Sequence, residues 1–129
     1  MFTYAAKLIE VIDGDTVDLL IDLGFGVHVK ERCRLYGIDA PEMPTEAGKA
    51  AKAYLESLIG AATGELFVAT RKMTRKPKEK TDKYGRYLAV LYKGYYNIEA
   101  DAGETKINAM VTSINARMIY EGHAKERYW

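Results

Sequence analysis

Arg34 to Glu42, read Arg-Leu-Tyr-Gly-Ile-Asp-Ala-Pro-Glu, sets a guanidinium, a carboxylate and a second carboxylate behind a proline. A guanidinium offers paired, permanently charged donors to phosphate or carboxylate oxygens. Carboxylates serve as oxygen ligands for a hard divalent cation, or as bases that take a proton from water. Pro41 has no N–H to give a sheet and drives Ala40 toward an extended conformation. Asp39 and Glu42 are therefore expected on a stiff turn at the end of a sheet, facing solvent. Asp and Pro are also common in ordinary surface turns, which is the competing reading. Three further stretches bear on the choice: Ile12-Asp13-Gly14-Asp15-Thr16-Val17, Thr81-Asp82-Lys83-Tyr84-Gly85-Arg86, and Ile114-Asn115 leading to Gly122-His123-Ala124.

The charge distribution points the same way. The net charge is only +1, yet Arg71, Lys72, Arg75, Lys76, Lys78, Lys80, Lys83 and Arg86 crowd a stretch that holds Glu79 and Asp82 as its only acids. A dense positive patch on an otherwise acidic chain suits a polyanion such as a phosphate backbone, with a solvated lysine loop as the plain alternative. The single cysteine, Cys33, excludes an intramolecular disulfide and reads as a small buried group. His28 and His123 have no cysteine or histidine partners at zinc spacing. Asp13 and Asp18 read as an ordinary turn residue and a solvent-face residue. Met1 to Lys7 lacks the basic start and apolar run of a secretion signal, and no stretch reaches membrane-spanning length. The expectation is a protein acting in the cytoplasm or tied to a phage or mobile element, with a mature secreted form as the alternative.

Positioning these groups requires a scaffold. With 129 residues, 48% of them hydrophobic, the chain suits one domain around one core. Strands are expected over Phe2–Ile12, Thr16–Asp22 (Leu20 being the misfit in its alternation), Val27–Ile38, Leu66–Thr70 and Arg86–Tyr92. Asp13-Gly14 signals a hairpin turn, and Gly24 and Gly26 mark the next turn. Ala47, Ala50, Ala51, Tyr54, Leu55, Leu58 and Ile59 recur at helical spacing, so Glu46–Ile59 reads as a helix capped by Thr45 and ended by Gly60. Thr112 or Ser113 caps a second helix, Ile114–Glu121, stopped by Gly122. Mainly β structure with five short strands and a helix after the third fits a five-stranded OB-fold barrel with packed helices. Residues 93–112 read as an added hairpin arm with Gly103 near its tip, against a helix from Thr105 onward.

The four motif stretches, in this order and spacing, resemble the staphylococcal nuclease (thermonuclease) family over roughly Ala6 to Tyr128. Asp-Gly-Asp-Thr alone is weak; four blocks in register are specific. The resemblance implies a calcium-dependent, sugar-nonspecific nuclease that hydrolyses DNA and RNA, single-stranded or locally opened, to 3′-phosphate and 5′-hydroxyl ends. It implies calcium held by Asp15, Asp39 and the backbone carbonyl of Ala40, where the family has threonine. Glu42 matches the catalytic glutamate that activates water, and Arg34 and Arg86 match the arginines that stabilise phosphate charge. Lys83, Tyr84 and Tyr128 match nucleotide-binding positions, while the partner of Tyr128 has no clear equivalent beyond the nearby Trp129. The chain departs from the family at 93–111 and lacks the family's terminal third helix. A monomer is expected, with a dimer through residues 93–112 as the alternative. The rival class is an inactive barrel that binds nucleic acid or protein; retention of Asp15, Arg34, Asp39, Glu42 and Arg86 argues for the enzyme.

Overall fold

The structure is a computed structural model and describes residues 2–60, 66–70, 87–93 and 113–127. Its strands are β1 (Phe2–Asp13), β2 (Thr16–Gly24), β3 (Val27–Leu35), β4 (Ile38–Asp39), β5 (Leu66–Thr70), β6 (Tyr87–Tyr92) and β7 (Lys125–Glu126). Its helices are α1 (Glu46–Gly60) and α2 (Ile114–Tyr120). Five strands close into a barrel in the order β1-β2-β3-β6-β5. The β3–β6 seam is parallel, and the other pairs are antiparallel. This is the five-stranded OB-type barrel expected. Val17, Leu19, Leu35, Leu55, Val68, Leu91, Ile114 and Met118 fill its core.

The helices start and stop on local signals. Thr45 Oγ1 accepts the Gly48 N–H at 3.0 Å, capping α1, and Ser113 Oγ accepts the Ala116 N–H at 3.0 Å, capping α2. After α2, Gly122 adopts a left-handed φ of 79°. The His123 N–H then reaches the Met118 carbonyl at 2.9 Å and the Gly122 N–H the Ile119 carbonyl at 3.0 Å, the paired bonds of a Schellman stop. Helix α1 buries Gly48, Ala51, Leu55, Leu58 and Ile59. Ala47 and Ala50, expected inward, are exposed. Alanine suits either face, so the larger side chains set the rotation of the helix; a fully buried leucine stabilises by about 1.5–3 kcal/mol.

The expected third strand, Val27–Ile38, is two strands. Gly37 at φ 81° turns the chain out of the barrel. Ile38–Asp39 then pairs with Lys125–Glu126 in a separate two-stranded antiparallel sheet. Ile38 is buried out of phase with Cys33 and Leu35, so the alternation breaks at Gly37, where the strand ends. Beyond Lys93, the arm expected over 93–112 and the competing helix from Thr105 lie outside the described residues. At their far end Ser113 is extended, at φ −98° and ψ 149°, and bridges to Tyr92, so α2 begins at Ile114. Among the described residues two helices pack on the barrel, and the chain after α2 turns into β7 without a third.

Candidate functional site

The site begins at the β1–β2 turn. Asp13 Oδ1 accepts the Asp15 N–H at 3.0 Å, and Asp13 pairs with Thr16 across the turn, leaving Gly14 and Asp15 at its tip. Gly14 is required for space, since its φ is not positive. A Cβ there would lie 2.7 Å from the Cβ atoms of both Ala40 and Ala51. The turn is thus pressed against the exit of β4 on one side and α1 on the other.

Register brings in the guanidinium. Thr16 pairs with Arg34 in the β2–β3 ladder, and the Leu35 N–H donates to the Asp15 carbonyl at 2.7 Å. Arg34 is buried, and its Nη2 lies 3.2 Å from Asp15 Oδ2 and 3.0 Å from Asp39 Oδ1. The same Nη2 lies 3.4 Å from the Ile38 carbonyl. Asp15 also accepts the Ala40 N–H at 2.9 Å and the Thr16 hydroxyl at 3.1 Å. Three residues separated in sequence, Asp15, Arg34 and Asp39, therefore meet at one barrel rim.

Asp15 is only 6% exposed, and burial pushes its carboxyl up to about 6. Its hydrogen bond with Asp13 contributes to that rise, and the Ala40 amide and Arg34 offset it in part. Two carboxylates face one guanidinium, so with both ionised the trio carries one excess negative charge. All of the side-chain acceptors are hard oxygens. That donor chemistry fits a calcium-like cation, although no three acidic, histidine or cysteine side chains converge among the described residues. Backbone carbonyls and water would have to complete the usual six to eight oxygens. The structure shows the Ala40 amide turned to Asp15; it assigns no partner to the Ala40 carbonyl.

Glu42 lies three residues beyond Asp39 with an exposed side chain. No described residue pairs with its carboxylate. Its backbone is held instead: the Glu42 carbonyl accepts from the Thr45 N–H at 3.1 Å and the Thr45 hydroxyl at 2.5 Å. Arg86, Lys83, Tyr84 and Tyr128 lie outside the described residues, as does the basic stretch 71–86. Their described neighbours are anchored close by: Tyr87 pairs with Cys33 beside Arg34, and the Arg127 N–H donates to the Gly37 carbonyl at 2.8 Å.

Two side chains behave differently from their sequence reading. Asp18, expected on the solvent face, is 5% exposed and takes a two-pronged contact from its cross-strand partner Arg32 (Nε–Oδ1 2.8 Å, Nη2–Oδ2 3.1 Å). The Arg32 hydrogen bonds hold its carboxyl below the usual range despite burial. Asn115 had no assigned role. It is buried, its Oδ1 accepts the Leu91 N–H at 3.0 Å, and its Nδ2 donates to the Tyr36 and Ala89 carbonyls at 2.9 and 3.0 Å. It ties α2 to the ends of β3 and β6, just past Arg34. The available signal was an amide in the first turn of a helix otherwise facing the core. His123 stacks on Tyr54 (centroids 4.5 Å apart), and Cys33 is a buried free thiol, in line with their plain readings.

Comparison with known proteins agrees with this geometry. The chain is 30% identical over 121 residues to a micrococcal nuclease of Shigella flexneri, covering 94% of this chain and 57% of that protein. It is 28% identical over 118 residues to Protein ParB of Escherichia coli, covering 92% of this chain and 54% of that one. The chain thus spans somewhat more than half the length of these relatives. The family pattern described as staphylococcal nuclease homologue matches residues 32–129, which include Arg34, Asp39 and Glu42. With that match extending over most of its length, the chain belongs to the staphylococcal nuclease homologue family.

Proposed function

We propose that the protein is a calcium-dependent, sugar-nonspecific nuclease that hydrolyses DNA and RNA phosphodiester bonds to 3′-phosphate and 5′-hydroxyl ends. The observation that carries this reading is the convergence of Asp15 and Asp39 on Arg34 Nη2, at 3.2 and 3.0 Å. Two carboxylates on one guanidinium leave a negative charge uncompensated, which a bound cation would balance. Calcium would be held by Asp15, Asp39 and the Ala40 carbonyl, and would lend positive charge to the phosphate oxygens.

Glu42, exposed three residues past Asp39, takes a proton from the attacking water. The water oxygen bonds to phosphorus, the bond from phosphorus to the 5′ oxygen breaks, and that oxygen takes a proton from solvent water to leave as the hydroxyl, while Glu42 returns its proton to solvent. Arg34 and Arg86 stabilise the charge gathering on the non-bridging oxygens. Lys83, Tyr84 and Tyr128 contact the nucleotide, rings giving sequence-tolerant stacking. The chain acts as one domain. The likeness to a protein named micrococcal nuclease supports the reaction class.

The test is cleavage of single-stranded DNA by purified protein with calcium or excess chelator, with Glu42→Gln alongside. Calcium-dependent cleavage lost in the variant supports the assignment. Salt-sensitive binding without cleavage in the wild type would replace it with a nucleic-acid-binding barrel.

A further inference from the structure

We propose that Thr45 and Gly48 are positioning residues for Glu42, and that the first turn of α1 sets the distance between that carboxylate and Asp15. The proposal rests on the reading of Glu42 as the group that activates water. The anchored Glu42 backbone fixes the point from which its exposed side chain reaches. That backbone is held by a small knot. Thr45 gives the Glu42 carbonyl two donors, its N–H at 3.1 Å and its hydroxyl at 2.5 Å. The same hydroxyl oxygen accepts the Gly48 N–H at 3.0 Å, and the Thr45 carbonyl accepts the Lys49 N–H at 2.9 Å. One residue therefore both starts the helix and fastens Glu42 to it.

Gly48 provides the room. A Cβ at this position would overlap the Glu42 carbonyl oxygen and lie 2.7 Å from its carbon and 3.0 Å from the Met43 nitrogen. These are backbone atoms, which cannot swing aside as a flexible side chain would. The φ of Gly48 is not positive, so conformational freedom does not explain the residue. Glycine inside a helix costs about 0.5–1 kcal/mol relative to alanine, and the close approach of Glu42 is what it permits here. One turn further along the same face, Ala51 meets Gly14, where a Cβ would come within 2.7 Å. The next residue after Gly14 is Asp15. A single rigid helical turn thus touches the Glu42 carbonyl at Gly48 and the Asp15 turn at Ala51.

A capping role alone would need Thr45 only as an acceptor. Thr45→Asp keeps a good cap and removes the hydroxyl donor to Glu42, whereas Thr45→Ser keeps both. Steady-state cleavage of single-stranded DNA, calcium titration and thermal unfolding would be measured for Thr45→Asp, Thr45→Ser, Gly48→Ala, Glu42→Gln and the wild type. In Thr45→Asp and Gly48→Ala, kcat should fall about 10- to 100-fold, the range for small misplacements of catalytic groups. KM and calcium affinity should stay within about twofold, since a positioning loss acts in the transition state. Thr45→Ser should retain wild-type kcat. Unchanged kcat in Thr45→Asp and Gly48→Ala overturns the proposal. So does a loss of KM and calcium affinity in step with kcat, which would mark a merely structural role. A wild type that does not cleave, or that cleaves as well as Glu42→Gln, overturns the Glu42 reading and this proposal with it; failure of the knot variants alone leaves that reading intact.

Discussion

Replacing Asn115 by leucine tests how the barrel holds the segment that carries Arg34. The substitution is close to isosteric, so its cost is polar. It strips a partner from the Leu91 N–H, the Tyr36 carbonyl and the Ala89 carbonyl. The Ala89 carbonyl retains the Tyr36 N–H at 2.8 Å and Tyr36 is half-buried, which leaves the Leu91 N–H to carry most of the loss. A polar group left unpaired in the interior costs about 1–3 kcal/mol, a large share of a typical domain stability of about 5–15 kcal/mol. Urea unfolding followed by far-ultraviolet circular dichroism measures it: with a slope of about 1–3 kcal/mol per molar, the midpoint should fall by about one molar. Cleavage should fall at temperatures where the variant is still folded, because Tyr36 lies two residues beyond Arg34 on the same strand end. A loss below about 1 kcal/mol would refute the reasoning, since it would mean that water replaces the amide at no cost. Asn115→Asp is the companion: it can still accept from Leu91, but at neutral pH it opposes two carbonyls, so it too should destabilise.

Other expectations concern the site and the core. Burial pushes the Asp15 carboxyl up from 3.8 to about 6 in the metal-free protein. The folded state therefore holds this proton more tightly than the unfolded chain does. Stability is favoured below about 4, is lost as pH rises toward 6, and stays lower above it. Asp15→Asn removes that penalty, up to about 3 kcal/mol. The metal-free variant should outlast the wild type in urea at pH 7 but not at pH 4, while equilibrium dialysis shows weaker calcium binding; equal stability at pH 7 would contradict the burial argument. Cys33, whose thiol is pushed up to about 12 chiefly by burial, should react with a disulfide reagent at pH 8 only on unfolding, so rapid labelling of the folded protein would contradict it. Gly14→Ala forces a methyl against Ala40 and Ala51 and should cost about 1–3 kcal/mol, the range for overpacking, by thermal unfolding; an unchanged transition would mean that the turn can shift away from α1.

Local chemistry made much of this protein readable before any fold was in view. Strand β5 was expected over the residues it occupies, since Leu-Phe-Val-Ala-Thr favours strand. Helices α1 and α2 begin where Thr45 and Ser113 can cap them and α2 ends at Gly122, because caps act within three or four residues. The candidate residues Asp15, Arg34, Asp39 and Glu42 were found by residue type, motif order and family resemblance. What the sequence could not supply was their meeting. Asp15 reaches Arg34 because Thr16 pairs with that residue, and Asp39 reaches it because Gly37 reverses the chain out of the barrel. Both depend on strand register and a left-handed turn. The burial of Asp18, the bridging role of Asn115 and the need for empty space at Gly14 and Gly48 also belong to the tertiary structure. Each depends on atoms from another segment, 14 residues away for Asp18 and Arg32 and 79 for Asn115 and Tyr36. Sequence determined which groups this chain carries and where its helices start; packing decided which of those groups share a site, because burial and contact between distant segments exist only after the barrel closes.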